Sequence, residues 1–237
     1  MQSGNTLKNN EHPFAFFDFC ETLVNFQTAD AFVDFVRIRR GNLYTKAINL
    51  FLITIVKFKF HLLLNKFFPN AGVIKKIKLL QLRGRNSKVL NQLAEEYYRE
   101  LIKPNLITPV MMELKKLQEK NYNIVIVSAG YSIYLKYFTK EHNIQYLIST
   151  EIAFDKSGET CLGTISGKDC IYTEKVDRIN KVFDIKKLNL KRSVSFSDSI
   201  SDLPMMQMTN KAVVVSKDKS QDWAKEYDFS EIIWSNN

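Results

Sequence analysis

Short apolar runs that stop at a small polar residue, separated by amphipathic helical patterns, most constrain the fold of this sequence. Four runs are predicted as buried strands: Phe14–Phe17, Asn123–Ser128, Ser193–Ser197 and Ala212–Val215. Three helical patterns lie between or beside them: Val110–Lys120, Tyr131–His142 and Thr173–Phe183. Strands that alternate with helices predict an α/β fold with a doubly wound, Rossmann-like parallel-sheet core.

Polar side chains follow three of these predicted strands. Asp18, Ser128 and Asp198 each lie at or just beyond the end of an apolar run. Ligands of open parallel sheets bind outside the carboxyl ends of the strands. We therefore expect these three residues to converge in one crevice, which is the first indication of an active site.

The stretch from residue 25 to residue 104 interrupts the alternation and contains helical patterns only. The predicted helices are Ala29–Arg39, Leu43–Phe68, Val73–Leu82 and Ser87–Leu101. Ser87 is a plausible N-cap, and Pro104 marks the return to the sheet. We predict a core of residues 1–24 and 105–237 and an inserted all-helical cap of residues 25–104.

The net charge of +9 is concentrated in the cap. Residues 37–90 contain thirteen Lys or Arg and no Asp or Glu, whereas the remaining chain has 21 basic and 25 acidic residues. Within this block, the apolar run Ala47–Val56 is far shorter than the roughly 20 residues that span a bilayer. Three interpretations stay open: a buried helix or dimer contact, a helix on an anionic membrane surface, and nucleic-acid binding. The last is least favoured, so no nucleic acid is expected, because no recognition motif accompanies the charge.

Three cysteines, Cys20, Cys161 and Cys170, show no metal-ligand spacing, and their odd number argues against a disulfide framework. The polar segment Met1–His12 is predicted to be a leader that is not exported. We therefore expect a cytoplasmic protein, with association at the membrane surface as the alternative. The sequence does not predict an oligomeric state.

Four motifs occur in a characteristic order. They are FDFCETL at residues 17–23, SAG at 128–130, Lys175, and SDSISDLP at 197–204. Together they resemble the haloacid dehalogenase (HAD) superfamily, and in particular its phosphoserine-phosphatase-like branch, HAD-IB. The tripeptide LRG at 82–84 and the stretch LGTISGKDCIYTEK at 162–175 also fit this branch. The resemblance covers roughly residues 13 to 234.

The resemblance implies a nucleophile and a metal site. Asp18 would attack phosphorus and form an aspartyl-phosphate. Mg2+ would be held by Asp18, Asp198 and the backbone carbonyl of Cys20, with support from Asp202. Hard oxygen ligands of this kind suit Mg2+.

The same resemblance implies a phosphate site. Ser128, Ala129 and Gly130 would bind phosphate oxygens, and Lys175 would neutralise the phosphate together with Asp18. Arg83, late in the cap, is a candidate for substrate binding, although a structural role within the cap is equally open. Phosphoryl transfer spreads negative charge over equatorial oxygens, so a site for it needs cations and hydrogen-bond donors.

Cys20 departs from the pattern, because phosphatases of this family carry a second Asp there that moves protons to the leaving group and from water. A free thiol has a pKa of about 8.5, against about 3.9 for Asp, and is a poor base near neutrality. Losing positioned acid/base catalysis typically costs about 10²–10⁴-fold. Three explanations stay open: a natural substitution in a slow or specialised phosphatase, an engineered change that traps a complex, and a non-catalytic relative that only binds a phosphorylated ligand.

The predicted function is a Mg2+-dependent phosphomonoester phosphatase. By resemblance, the substrate is a small phosphorylated metabolite or a lipid phosphate. The apolar and cationic cap favours an amphiphilic or strongly anionic substrate over a compact polar one. The alternative is a module of the same fold that binds a phosphorylated ligand without efficient turnover.

Overall fold

A seven-stranded sheet forms the centre of the molecule in a computed structural model that describes residues 12–57, 73–184 and 188–235. The strand order is β4-β3-β2-β1-β5-β6-β7. The strands are β1 (Phe14–Phe17), β2 (Asn123–Tyr131), β3 (Tyr146–Phe154), β4 (Cys161–Ser166), β5 (Val194–Ser197), β6 (Lys211–Lys217) and β7 (Ser230–Trp234). All neighbouring strands pair in parallel except β3 and β4, which are antiparallel. The α/β doubly wound fold predicted from the alternation is confirmed.

β1 lies at the middle of the sheet because all four of its side chains are apolar and buried. It pairs in parallel with β2 and β5, so that Phe17 is level with Ile126 on one side and with Phe196 on the other. The Phe17 and Phe196 rings stack at a centroid distance of 4.2 Å. This register brings the carboxyl ends of β1, β2 and β5 to the same edge, where the predicted site residues follow.

Between β1 and β2, the described residues form helices and short turns. These are α1 (Thr28–Arg40), α2 (Leu43–Lys57), α3 (Val73–Leu79), a 3-10 turn (Leu80–Leu82) and α4 (Ser87–Tyr97). α4 continues as a π-helical turn (Tyr98–Ile102) and a 3-10 turn (Lys103–Asn105). Residues 58–68 of the predicted second helix lie outside the described residues. The boundaries of the cap as a domain stay a prediction.

The predicted N-cap of α4 is wrong by one residue. The side chain of Asn86 accepts the backbone N–H of Lys88 at 2.9 Å, which is the capping hydrogen bond. Ser87 is the first residue of the helix, and its own N–H donates to the carbonyl of Glu159 at 2.7 Å. The antiparallel hairpin β3–β4 therefore determines where α4 begins.

This hairpin also holds the segment of the cap between the 3-10 turn and α4. The N–H of Gly84 donates to the carbonyl of Cys161, and the N–H of Cys161 donates to the carbonyl of Arg85, both at 2.8 Å. Gly163 has a φ of +70°, and a Cβ there would lie 2.8 Å from the Cβ of Arg83. The backbone of β4 and the cap thus approach too closely for a side chain at residue 163.

The remaining helices cover the sheet. They are α5 (Thr108–Glu119), α6 (Ser132–Glu141), α7 (Thr173–Val182), α8 (Leu203–Met206) and α9 (Asp222–Glu226). The first three agree with the predicted helices to within two residues at each end. All three cysteines are buried and free. Over the described ranges, every helix is too short or too polar to cross a membrane.

Candidate active site

Asp18 follows β1 directly and is buried. Its N–H donates to the carbonyl of Phe196 on β5 at 2.9 Å, which fixes the backbone at the sheet edge. Its Oδ1 accepts a hydrogen bond from Lys175 Nζ at 2.6 Å, and its Oδ2 lies 3.4 Å from the hydroxyl of Thr22. One carboxylate oxygen is thus held by a cation, while the other has only a long hydrogen bond.

Lys175 lies in the first turn of α7 and is buried between two carboxylates. Its Nζ is 2.6 Å from Asp18 Oδ1 and 2.6 Å from Asp202 Oδ2. Burial opposes its charge, but the negative charges of Asp18 and Asp202 raise the pKa of Lys175 above its usual range. Lys175 therefore carries a fixed positive charge beside Asp18.

Asp202 differs from Asp18 and Asp198 in its hydrogen-bond partners. Its Oδ2 accepts hydrogen bonds from Lys175 and, at 2.7 Å, from the hydroxyl of Ser197 at the end of β5. These contacts orient Lys175. The supporting role of Asp202 at a metal stays a prediction.

Asp198, the residue after β5, joins Asp18 through Thr22. The Thr22 hydroxyl donates to Asp198 Oδ1 at 2.9 Å and accepts the N–H of Asp198 at 3.0 Å. Burial raises the pKa of both Asp18 and Asp198, and the charge of Asp18 adds to the effect at Asp198. A cation between the buried Asp18 and the partly buried Asp198 would offset the cost of holding both carboxylates charged.

The donors present fit Mg2+. Among the described residues, no three side chains of His, Cys, Asp or Glu converge as a metal cluster. A site at Asp18 and Asp198 would therefore need a further oxygen, which the carbonyl of Cys20 could supply. Carboxylate and carbonyl oxygens completed by water are the ligands that Mg2+ prefers.

The SAG segment lies at the carboxyl end of β2, where the pairing with β3 shifts register between Ser128 and Tyr131. Ser128 is buried, and its Oγ accepts the N–H of Gly130 at 3.0 Å. A Cβ at residue 130 would lie 2.9 Å from the Tyr134 hydroxyl oxygen and 3.2 Å from Ser128 Oγ, so a larger residue there would displace these side chains. The phosphate-binding role of the segment stays a prediction.

Cys20 lies in a buried chain of hydroxyl groups. Its Sγ is 3.0 Å from Thr28 Oγ1 at the start of α1, and that oxygen is 2.8 Å from the hydroxyl of Tyr134. Burial, together with the negative charge of Asp18, raises the pKa of the Cys20 thiol to about 11. The thiol is therefore protonated at neutral pH and does not serve as a base.

The sequence analysis missed an ion pair that joins the cap to this site. Lys75 Nζ on α3 donates to the carbonyl of Ala129 at 2.9 Å and to both carboxylate oxygens of Asp169, at 2.8 and 2.7 Å. Asp169 also accepts the hydroxyl of Thr150 at 2.6 Å. Asp169 belongs to the GKDC stretch that supports the family resemblance, but nothing in the sequence separates Lys75 from the other lysines of the cap.

Within the described chain, the Arg83 side chain forms no hydrogen bond or ion pair with this cluster. It is exposed at the end of the 3-10 turn, beside Gly163. A cavity of about 410 Å³ lies instead between α3 and the core. Its lining comprises Cys20, Gln27, Ala29, Asp30, Val73, Ile74, Lys75, Ala129, Asp169 and Ile171.

Comparison with known proteins agrees with this geometry. Residues 15–207 match the family of haloacid dehalogenase-like hydrolases. A comparison with curated proteins finds no match.

Among solved structures, the chain is similar to a protein of unknown function from Bordetella pertussis Tohama I, with 21% identity and a TM-score of 0.75 over 93% of this chain and 98% of that one. It is also similar to a HAD family hydrolase from Salmonella enterica serovar Typhi, with 14% identity and a TM-score of 0.63 over 95% and 69% of the two chains. A substrate-bound phosphoserine phosphatase shares 16% identity and a TM-score of 0.62 over 94% and 93%. The chain therefore belongs to the haloacid dehalogenase-like hydrolases, with the fold of their phosphoserine-phosphatase-like branch.

Proposed function

We propose that this protein is a Mg2+-dependent phosphomonoester phosphatase that works through an aspartyl-phosphate on Asp18. The observation that carries the proposal is the buried cluster in which Lys175 holds Asp18 Oδ1 at 2.6 Å while Asp198 lies beside it through Thr22. A carboxylate becomes an effective nucleophile when its geometry is fixed in this way. The phosphoserine phosphatase among the similar folds supports the same reaction class.

In the proposed reaction, an oxygen of Asp18 forms a bond to phosphorus as the bond to the leaving oxygen breaks. Lys175 and the segment at Ser128 stabilise the negative charge on the phosphoryl oxygens. Water then attacks phosphorus as the bond from phosphorus to Asp18 breaks, which releases inorganic phosphate and restores the carboxylate. The leaving oxygen takes a proton from solvent in the first step, and the attacking water returns one in the second. A Mg2+ ion bound by Asp18, Asp198 and the carbonyl of Cys20 would neutralise the developing charge.

Proton transfer is the weak step in this scheme. The Cys20 thiol is protonated and lies in contact with Thr28, so it does not activate water as a carboxylate would. We propose that turnover is slow for this reason. The same observation favours a second candidate function, a module that binds a phosphorylated ligand without efficient turnover.

We propose an amphiphilic or strongly anionic substrate, selected by the cap. The cavity beside Cys20 has apolar side chains from both sides, Val73 and Ile74 from α3 and Ile171 from the core. The charged lining comprises Lys75, Asp169 and Asp30, and Lys75 is already paired with Asp169. A lipid-like phosphate monoester would use the apolar side chains, whereas a compact polar substrate would leave them without contact.

We also propose that α2 rests on an anionic membrane surface. Leu43, Leu50, Phe51 and Ile53 are all more than half exposed. Lys46 and Lys57 are exposed on the same helix. Apolar side chains beside lysines on one helix are typical of binding in the interface of anionic bilayers.

Phosphate release from a broad panel of metabolite and lipid phosphomonoesters tests the proposed activity. We expect slow release from at least one substrate that requires Mg2+ and is abolished by Asp18→Asn. We expect a substantial gain from Cys20→Asp. The enzyme proposal fails if neither the natural protein nor Cys20→Asp releases phosphate. Saturable binding of a phosphorylated compound without release would then favour the binding module.

A further inference from the structure

A second cavity, of about 560 Å³, opens at the opposite end of the sheet from Asp18. It lies where β5, β6 and β7 begin and α5 ends, and we call it the basal groove. β5 runs from this groove to the candidate active site. The rise along the strand from Val194 to Ser197, about 10 Å, separates the two. The volume is within the range that holds small molecules.

The rim of the basal groove is strongly cationic. Its basic residues are Lys116, Lys120, Lys191, Arg192 and Lys211, against the two acidic residues Glu113 and Glu231. This excess contrasts with the chain outside residues 37–90, where 21 basic residues face 25 acidic ones. Positive charge is thus concentrated at this cavity, in a part of the chain where acidic residues outnumber basic ones.

Most of these cations lack a carboxylate partner among the residues that the structure describes. Lys116 pairs with Glu113 at 3.2 Å. Lys120, Lys191, Arg192 and Lys211 form no salt bridge with any residue of the described chain. Like charges gathered around a concave surface create a positive potential that attracts a multiply charged anion.

The acidic residues of the groove are already engaged. Glu231 accepts hydrogen bonds from Ser216 at 2.7 Å and from the N–H of Gln221 at 3.0 Å, and Glu113 is paired with Lys116. Neither forms a salt bridge with the four remaining cations within the described chain, and five basic against two acidic residues leave the rim an excess of three positive charges. The rim therefore has capacity for an external anion.

The floor of the basal groove is apolar. Tyr122 and Ile232 are partly exposed there, above the buried side chains Leu117, Val194, Phe196 and Val213. Ser193, Asn210 and Ser230 complete the lining. An inorganic anion would use the rim but not this floor. We propose that the basal groove binds a multiply charged phosphate joined to an aromatic or apolar group, at a site separate from the candidate active site.

Isothermal titration with adenosine triphosphate, in the presence of EDTA to remove divalent metal, tests the proposal on the full chain. Two triple variants make the same change in net charge at exposed lysines. The groove variant is Lys120→Glu/Lys191→Glu/Lys211→Glu. The control variant is Lys115→Glu/Lys140→Glu/Lys219→Glu, at residues that do not line the groove. Inorganic triphosphate provides a second probe that lacks the apolar part.

We expect the natural protein to bind adenosine triphosphate at one site and more tightly than inorganic triphosphate. We expect the groove variant to weaken this binding at least about tenfold and the control variant to stay within about twofold. Circular dichroism should show both variants folded, because all six lysines are exposed. The proposal is overturned if the natural protein does not bind, if both variants weaken binding equally, or if the groove variant binds normally. Equal affinity for both probes overturns the role of the apolar floor.

Discussion

At the scale of single residues, the environment of Cys20 decides how fast the proposed reaction runs. Thr28 and Tyr134 continue from its thiol as a chain of hydroxyl groups, with oxygen–oxygen and sulfur–oxygen distances of 2.8 and 3.0 Å. This chain gives the thiol a hydrogen-bonding partner. A polar side chain at residue 20 would have the Thr28 hydroxyl as the same partner.

We predict that Cys20→Asp raises the rate of phosphate release by about 10²-fold or more, because it restores a positioned acid and base. Cys20→Ser is the matched control, since it keeps a hydrogen bond to Thr28 without an ionisable group near neutral pH. Phosphate release by the natural protein and both variants, measured with and without Mg2+, checks this. An equal gain in Cys20→Ser would show that proton transfer at residue 20 is not the limiting step.

The sequence predicts Asp18, Ser128, Lys175 and Asp198 because each lies at the end of an apolar run or in a motif of fixed order. The partners that orient them depend on long-range packing. Tyr134 reaches Thr28 across 106 residues of sequence, and Lys75 reaches Asp169 across 94. Such contacts follow from how the cap sits on the core, which no local pattern encodes.

At the scale of elements, strands are predictable where both faces are buried. β1 is buried at all four positions and matches its apolar run, whereas every residue of β7 is exposed or partly exposed. β7 and the hairpin β3–β4 lie at the two edges of the sheet, and the sequence analysis predicts none of the three. All three strands carry exposed or partly exposed positions, so their apolar signal is weaker than that of β1.

The stacked rings of Phe17 and Phe196 give a test of the central strands. Phe196 is buried next to Phe17 at 4.2 Å, so Phe196→Ala would remove a large side chain from a packed core. We predict a loss of about 3–5 kcal/mol in the free energy of unfolding, measured in urea. Met112→Ala, at an exposed position of α5, should change it by less than about 0.5 kcal/mol. A small loss at Phe196 would contradict the packing described for β1 and β5.

The exposed face of α2 predicts salt-sensitive binding to vesicles. The natural protein should sediment with vesicles of phosphatidylserine and phosphatidylcholine at low salt, and less so at high salt, because screening weakens attraction to anionic lipid. Leu50→Glu/Phe51→Glu should abolish this, since it places charge on the apolar face. Met112→Glu/Val182→Glu changes the same charge at exposed apolar residues outside the cap and should retain binding. Failure of the natural protein to sediment at low salt would refute the membrane contact.

At the scale of the whole molecule, the contacts between the cap and the core over the candidate active site include the ion pair of Lys75 with Asp169 and the cavity beside it. Lys75 and Asp169 are each about four-fifths buried, with side-chain exposures of 20% and 17%. All the donor groups of the Lys75 ammonium are directed to Asp169 and to the carbonyl of Ala129. The position of α3 over the SAG segment therefore depends on this contact.

Removing either partner should loosen the cap without changing the nucleophile. We predict that Lys75→Met and Asp169→Asn each lower the free energy of unfolding by about 1–3 kcal/mol, because each leaves a partly buried polar group unpaired. In the double variant the losses should not add, since the two side chains form one interaction. Amide hydrogen exchange should become faster in α3 (Val73–Leu79) and stay unchanged in β1, which pairs on both sides.

Lys103→Met, which removes a more exposed pair with Glu141, should cost less than about 1 kcal/mol. Unchanged exchange in α3 in both single variants would show that the ion pair does not hold the cap in place.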